Sequence, residues 1–167
     1  MIFINVLLWV QGNRRLYECL HISKFSKTSY INVSHYIAGM AHYTLVSLAC
    51  YLGMRTYSSG ESVSLVPTFF DWLIMFAYVV LATRQYYAHR HLASLVKYSL
   101  PNFKYVASPH YLQEIGIYAT LFIFSVKDGW DIVSCNFLFA LVFVTVNLSI
   151  SSIETYRYYQ EKFKDEF

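Results

Sequence analysis

His110 and Glu114 stand one helical turn apart in "ASPHYLQEIGIY", residues 107–118. Pro109 suits the first position of a helix and Ser108 the N-cap before it, which predicts a helix beginning at about His110. At about 100° per residue, His110, Glu114, Tyr118 and Leu121 share one face. An apolar run, Ile115 to Val126, follows directly. Ionisable groups cost several kcal/mol near the centre of a membrane helix and less near its ends. Two readings are open. The imidazole and the carboxylate satisfy each other at the membrane interface, or they line a polar pocket entered from the cytosol. Further polar groups on the same side of the chain favour the pocket.

The first of these groups is "RQYYAHRHLASLVKYSLP", residues 84–101. Gln85 and His89 are four apart and share a helical face. His89 and His91 are two apart, which splays them on a helix, so they are not read as a metal pair. Arg90, Lys97 and Lys104 are either plain loop charges or clamps for phosphate. The second group is "QGNRRLYE", residues 11–18, where Arg14 and Arg15 each lie within a turn of Glu18. A helical salt pair is the simplest account of it. The third is "ETYRYYQEKFKDEF", residues 154–167, rich in tyrosine and charge, as expected of a helix lying at an interface. The six glycines form no GxGxxG, GxxxxGK[ST] or GxSxG motif. A nucleotide, if bound, is held by side chains on helix ends and loops.

The elements that position these groups follow from composition. Of 167 residues 56% are hydrophobic and only 14% charged, against about 25% charged in a soluble domain. This predicts an all-α, multi-pass membrane helix bundle formed as a single domain over residues 1–167. Four apolar spans are expected: Ser34–Met54, Leu65–Thr83, Tyr111–Val126 and Ile132–Ser151. None shows the period-two alternation of barrel strands, and lipid leaves helices as the other solution. Residues 1–10, "MIFINVLLWV", are too short to cross alone and read as the last half of a further helix.

Eleven of the thirteen Lys and Arg fall in segments 11–33, 84–110 and 152–167, on one side of the expected spans, and two on the other. The positive-inside rule places the eleven in the cytosol. The net charge of +3 is spread over several loops, which argues against a nucleic-acid partner. Cys19, Cys50 and Cys135 are odd in number and widely spaced, which fits small apolar fillers better than disulfides or a zinc site.

The segments "QGNRRLYE", "SLVKYSLPNFKYVASPHYLQEIGIY" and "ETYRYYQEKFKDEF" resemble the C-terminal part of the steroid 5-alpha-reductase superfamily, in particular its fungal polyprenal reductase branch. The likeness covers residues 11–27 and 84–167 by motif and 28–83 by hydropathy alone. It implies a longer endoplasmic-reticulum membrane enzyme of which this chain is the C-terminal portion. It implies transfer of hydride from NADPH to the β-carbon of polyprenal, a polyprenyl lipid, on the way to the dolichol used in protein N-glycosylation. By the same resemblance Arg15, Gln85, His89, Tyr105, His110, Glu114 and Tyr159 fall at cofactor-binding positions. The resemblance supplies no catalytic donor: Gly12 stands where steroid-reducing relatives carry a tyrosine. An enoyl-thioester reductase of fatty-acid elongation and a non-catalytic lipid-binding scaffold are the alternatives.

Overall fold

A computed structural model describes residues 2–24, 30–58, 66–95, 100–101, 103, 106, 108–127 and 129–164. Five helices account for most of them: α1 (Ile2–His21), α2 (Val33–Ser58), α3 (Phe69–Ser94), α4 (Pro109–Val126) and α5 (Ile132–Lys162). No strand occurs among the described residues.

Local chemistry sets several of these boundaries. Thr68 caps α3 in a reciprocal box: its hydroxyl accepts from Asp71 N–H at 3.2 Å, and its own N–H donates to Asp71 Oδ2 at 2.8 Å. Asp131 caps α5 by accepting from Ser134 N–H at 2.7 Å. Pro109 occupies the first turn of α4 and Ser108 its N-cap, as their order in the sequence predicts. The Ser108 hydroxyl makes no capping bond, however, and is buried without a partner.

α4 is the centre of the bundle. It packs against α3 on one side and α5 on the other, and α2 packs against α5. α1 touches α2, α3 and α4. The core draws on every helix, with Ile4, Ala49, Tyr78, Leu121 and Phe137 among its most buried members. At Gly116 a Cβ would lie 2.9 Å from Leu81 Cδ1, so the missing side chain is what lets α4 sit so near α3. A second tie is polar: the Ser134 hydroxyl donates to the Ser125 carbonyl across the α4–α5 corner at 2.8 Å.

Among the described residues two helices are long and apolar enough to cross a membrane, α2 over Val33–Arg55 and α5 over Ile132–Lys162. Their outer faces present Ile37, Met40, Leu48, Phe139, Val142 and Ile150 to the surroundings. α3 does the same with Phe69, Phe70, Trp72, Leu73, Phe76 and Val80. An apolar exterior over an apolar core is what lipid, rather than water, selects.

One boundary differs from the sequence reading. α1 does not stop near Val10 but runs through "QGNRRLYE" to His21. Its polar residues find partners on neighbouring helices, so the end of the apolar run is not the end of the helix. α3 continues beyond Thr83 to Ser94 and α5 beyond Ser151 to Lys162, as expected of helices that leave their spans. Cys19 is exposed, so the filler reading holds only for the partly buried Cys50 and Cys135.

Candidate functional site

Successive helices alternate in direction, so the C-terminal ends of α1 and α3 meet the N-terminal ends of α2 and α4. Gln11, Arg14, Arg15 and Glu18 lie at i, i+3, i+4 and i+7 along α1 and therefore on one face. That face turns toward Gln85 and His89 of α3 and Glu114 of α4.

The hydrogen bonds form a continuous network. Glu18 is fully buried and pairs with Arg14, with Arg15 at 2.7 Å and with His89 Nδ1 at 2.7 Å. His89 Nδ1 also lies 2.8 Å from an Arg15 nitrogen. A ring nitrogen either donates to the carboxylate or accepts from the guanidinium, so these two contacts are alternatives. Arg14 donates to Gln85 Oε1 and, at 2.9 Å, to Gln11 Oε1. Both amides then point onward: Gln85 Nε2 donates to Glu114 Oε2, and Gln11 Nε2 reaches the same oxygen at 3.4 Å. Gln85 Nε2 also reaches the His110 carbonyl at 3.3 Å. Two guanidinium groups thus balance two carboxylates, with two amides between them.

Burial opposes ionisation of Glu18. The His89 hydrogen bond, together with Arg14 and Arg15, outweighs it and holds the carboxyl below its usual range. His110 shows the opposite balance. Burial, reinforced by the nearby His89 and Arg15, pushes its imidazole down to about 4. It is therefore neutral near pH 7, with one nitrogen to donate and one to accept.

A cavity of about 240 Å³ opens beside this network, lined by Arg15, Gln85, His89, His110 and Glu114 together with residues of α2 and α5. His110 and Glu114 both face it, as their spacing predicts. They do not bond to each other: the His110 ring leans on His89 and Tyr111, while Glu114 is held by the two amides. This removes the reading of a self-satisfied pair. His110 Nδ1 is buried and has no hydrogen-bond partner. A second cavity, of about 490 Å³, lies between α1 and α2 and is lined largely by apolar groups such as Leu8, Trp9, Val46 and Cys50. Arg15, Tyr43, Glu114 and Tyr118 line both. Gly12 lines the second, and a Cβ there would meet open space.

Five of the seven residues singled out in the sequence therefore meet in one place. Tyr159 does not line the cavity. It is half-buried near Tyr111, a lining residue. Tyr105 lies outside the described residues, as do Lys97 and Lys104. Arg90 is exposed on α3. His91 turns away from His89 and packs its ring edge-on to Phe103, at 5.2 Å between centroids. Sequence reasoning missed Gln11, whose signal was the i, i+3, i+4, i+7 pattern with Arg14, Arg15 and Glu18. It also missed His42, which is buried and hydrogen-bonds Tyr118 at 2.9 Å.

No protein-family model matches the chain, and no solved structure does. Curated relatives do match. The polyprenal reductase of Saccharomyces cerevisiae is 36% identical over 165 residues, covering 95% of this chain and 59% of the relative. The polyprenal reductase of Homo sapiens is 30% identical, covering 96% of this chain and 54% of the relative. Polyprenal reductase 1 of Oryza sativa subsp. indica is 26% identical, covering 98% and 55%. The chain thus spans between half and three-fifths of the length of these relatives.

Proposed function

We propose, from the chain's kinship with the polyprenal reductases, that it forms the cofactor-binding portion of an NADPH-dependent reductase acting on the α-isoprene double bond of polyprenal. The product feeds dolichol formation for protein N-glycosylation. The chain lies in the endoplasmic-reticulum membrane as a single domain with four full spans, and the Glu18–Glu114 network sits at the cytosolic end. α4, at about 27 Å for 18 residues, comes close to the thickness of a hydrocarbon core. The exposed apolar face of α3 supports its crossing as well.

The observation that carries this reading is the unpartnered His110 Nδ1, buried at a cavity whose walls also hold Glu114, Gln85, His89 and Arg15. A neutral imidazole and a carboxylate one turn apart match the two halves of a carboxamide, one accepting and the other donating. Among the described residues Glu114 Oε1 accepts no protein hydrogen bond, so it has lone pairs left for a ligand N–H. Gln85 fixes the Glu114 carboxylate through Oε2. Arg15, only partly exposed at the cavity wall, offers positive charge to a dinucleotide. When bound, NADPH supplies the hydride. Tyr159 and Tyr105 complete the cofactor site in this reading. The apolar second cavity suits the isoprenoid chain, which a membrane bundle can admit sideways from lipid.

The test is a titration of the purified protein with NADPH, read by nicotinamide fluorescence. Glu114→Gln is expected to weaken binding at least tenfold while thermal stability changes little. Equal affinity in variant and parent would remove Glu114 from the site, and no binding by the parent would sink the reductase reading.

A further inference from the structure

The reaction proposed above has a requirement that the Glu18–Glu114 network does not meet. When hydride reaches the β-carbon of an α,β-unsaturated carbonyl, the C=C pair shifts toward the carbonyl carbon and the C=O pair moves onto oxygen. The resulting enolate needs a hydrogen-bond donor. A proton from solvent then adds at the α-carbon, the C=O re-forms, and NADPH has become NADP⁺.

The donor has to stand where the polar cavity and the apolar cavity adjoin, because cofactor and lipid can meet only there. Arg15, Tyr43, Glu114 and Tyr118 are the residues common to both walls. Glu114 is a carboxylate and accepts. Arg15 is already engaged with Glu18 and His89. Tyr43 is exposed, and among the described residues no hydrogen bond fixes its hydroxyl. Tyr118 differs on both counts. It is buried, one turn beyond Glu114 on the same face of α4, and its hydroxyl lies 2.9 Å from His42 Nε2.

His42 is itself held in place. Its ring stacks on Phe143 of α5 at 4.9 Å and 20° and meets the Tyr118 ring at 5.4 Å. With the proton on Nε2, His42 donates to the Tyr118 oxygen, and the phenol proton is left free to point into the site. A histidine oriented by packing thus fixes the direction of a buried hydroxyl, the kind of preorganisation that oxyanion stabilisation requires.

Resting on the reductase reading, we propose that Tyr118, oriented by His42, is the catalytic donor that stabilises the enolate oxygen of the isoprenoid aldehyde. Tyr118 is then a catalytic residue and His42 a positioning residue. This arrangement also answers the glycine at position 12: the donor comes from α4, so the first motif does not have to supply it.

The experiment measures polyprenal reduction and NADPH binding by the purified protein in lipid nanodiscs. Tyr118→Phe is expected to lower kcat about 100-fold. The NADPH Kd and the polyprenal KM should stay within about threefold, because only an oxygen is removed. His42→Phe should lower kcat to a similar degree, and His42→Gln, whose amide can donate in place of Nε2, should restore most of it. Tyr43→Phe should lower kcat far less than Tyr118→Phe does. The assignment is overturned if Tyr118→Phe keeps its kcat, if it loses NADPH binding and thermal stability in parallel, or if Tyr43→Phe is the variant that fails. A parent that neither binds NADPH nor reduces polyprenal overturns the reductase reading first and this assignment with it.

Discussion

The two ends of the α3–α4 pair both carry buried charge and use it differently. At one end Asp71 lies 3.2 Å from Lys127 and closes the capping box with Thr68. Each charge there has its partner on the adjoining turn or helix, although Asp71 Oδ1 meets Lys127 as an ion pair and not as an aligned hydrogen bond. At the other end Glu18, Arg14, Arg15, Gln11, Gln85 and Glu114 are linked through three helices, yet His110 Nδ1 and Arg14 Nε remain without partners. A cavity lined by Arg15, Gln85, His89 and Glu114 opens beside the unpartnered His110 nitrogen. Charge inside an apolar bundle is therefore not enough to mark a site. What marks it is hydrogen-bonding capacity that the fold leaves over, next to space for a ligand.

The sharpest way to break this comparison is to remove its anchor. Glu18→Ala strips the carboxylate from two guanidinium groups and an imidazole in a fully buried position. A loss of about 3–5 kcal/mol is expected, because the cations are left behind uncompensated. Thermal unfolding in detergent, or the yield of folded protein, measures it. A stable Glu18→Ala protein would mean that the network is not what joins α1 to α3.

Asp71→Asn tests the other end. Losing the ion pair and half of the capping box should cost about 1–2 kcal/mol. NADPH affinity should stay at the parent value. An affinity loss as large as that of Glu114→Gln would erase the distinction between the two ends.

The last expected effect is one of pH. The folded-state pKa of His110 is depressed to about 4 from an unfolded value near 6.5. The unfolded chain therefore binds more protons between these values, and stability falls as the pH drops through that window. Melting temperature recorded between pH 7 and pH 5 should decline more steeply for the parent than for His110→Gln. Parallel slopes would show that the His110 imidazole is not held neutral by its surroundings.

Much of this was legible in the sequence, and the rest was hidden for definable reasons. The start of α4 at Pro109, and the shared face of His110 and Glu114, follow from local rules and need no tertiary partner. The convergence of Arg15, Gln85 and His89 on that face was expected from their common side of the membrane and from the family resemblance, and five of the seven residues that the resemblance implies do meet there. Gln11 escaped notice because hydropathy ended the first helix near Val10, whereas its polar continuation is held by cross-helix hydrogen bonds that no window along the chain records. The His42–Tyr118 pair joins residues 76 apart in sequence, with no motif linking them. The Thr68 and Asp131 caps went unread as well, although each stands immediately before an apolar run.

The central claim, that the cavity beside His110 and Glu114 receives NADPH from the cytosol, has a direct test at Gly39. This glycine lines the cavity, and a Cβ placed there meets nothing within 4 Å. Gly39→Cys is made with Cys19, Cys50 and Cys135 replaced by alanine, and labelled in sealed microsomes with a membrane-impermeant maleimide. The account predicts labelling from the outside that saturating NADPH slows at least tenfold. Labelling at the same rate with and without NADPH, or only after the vesicles are opened, would contradict it.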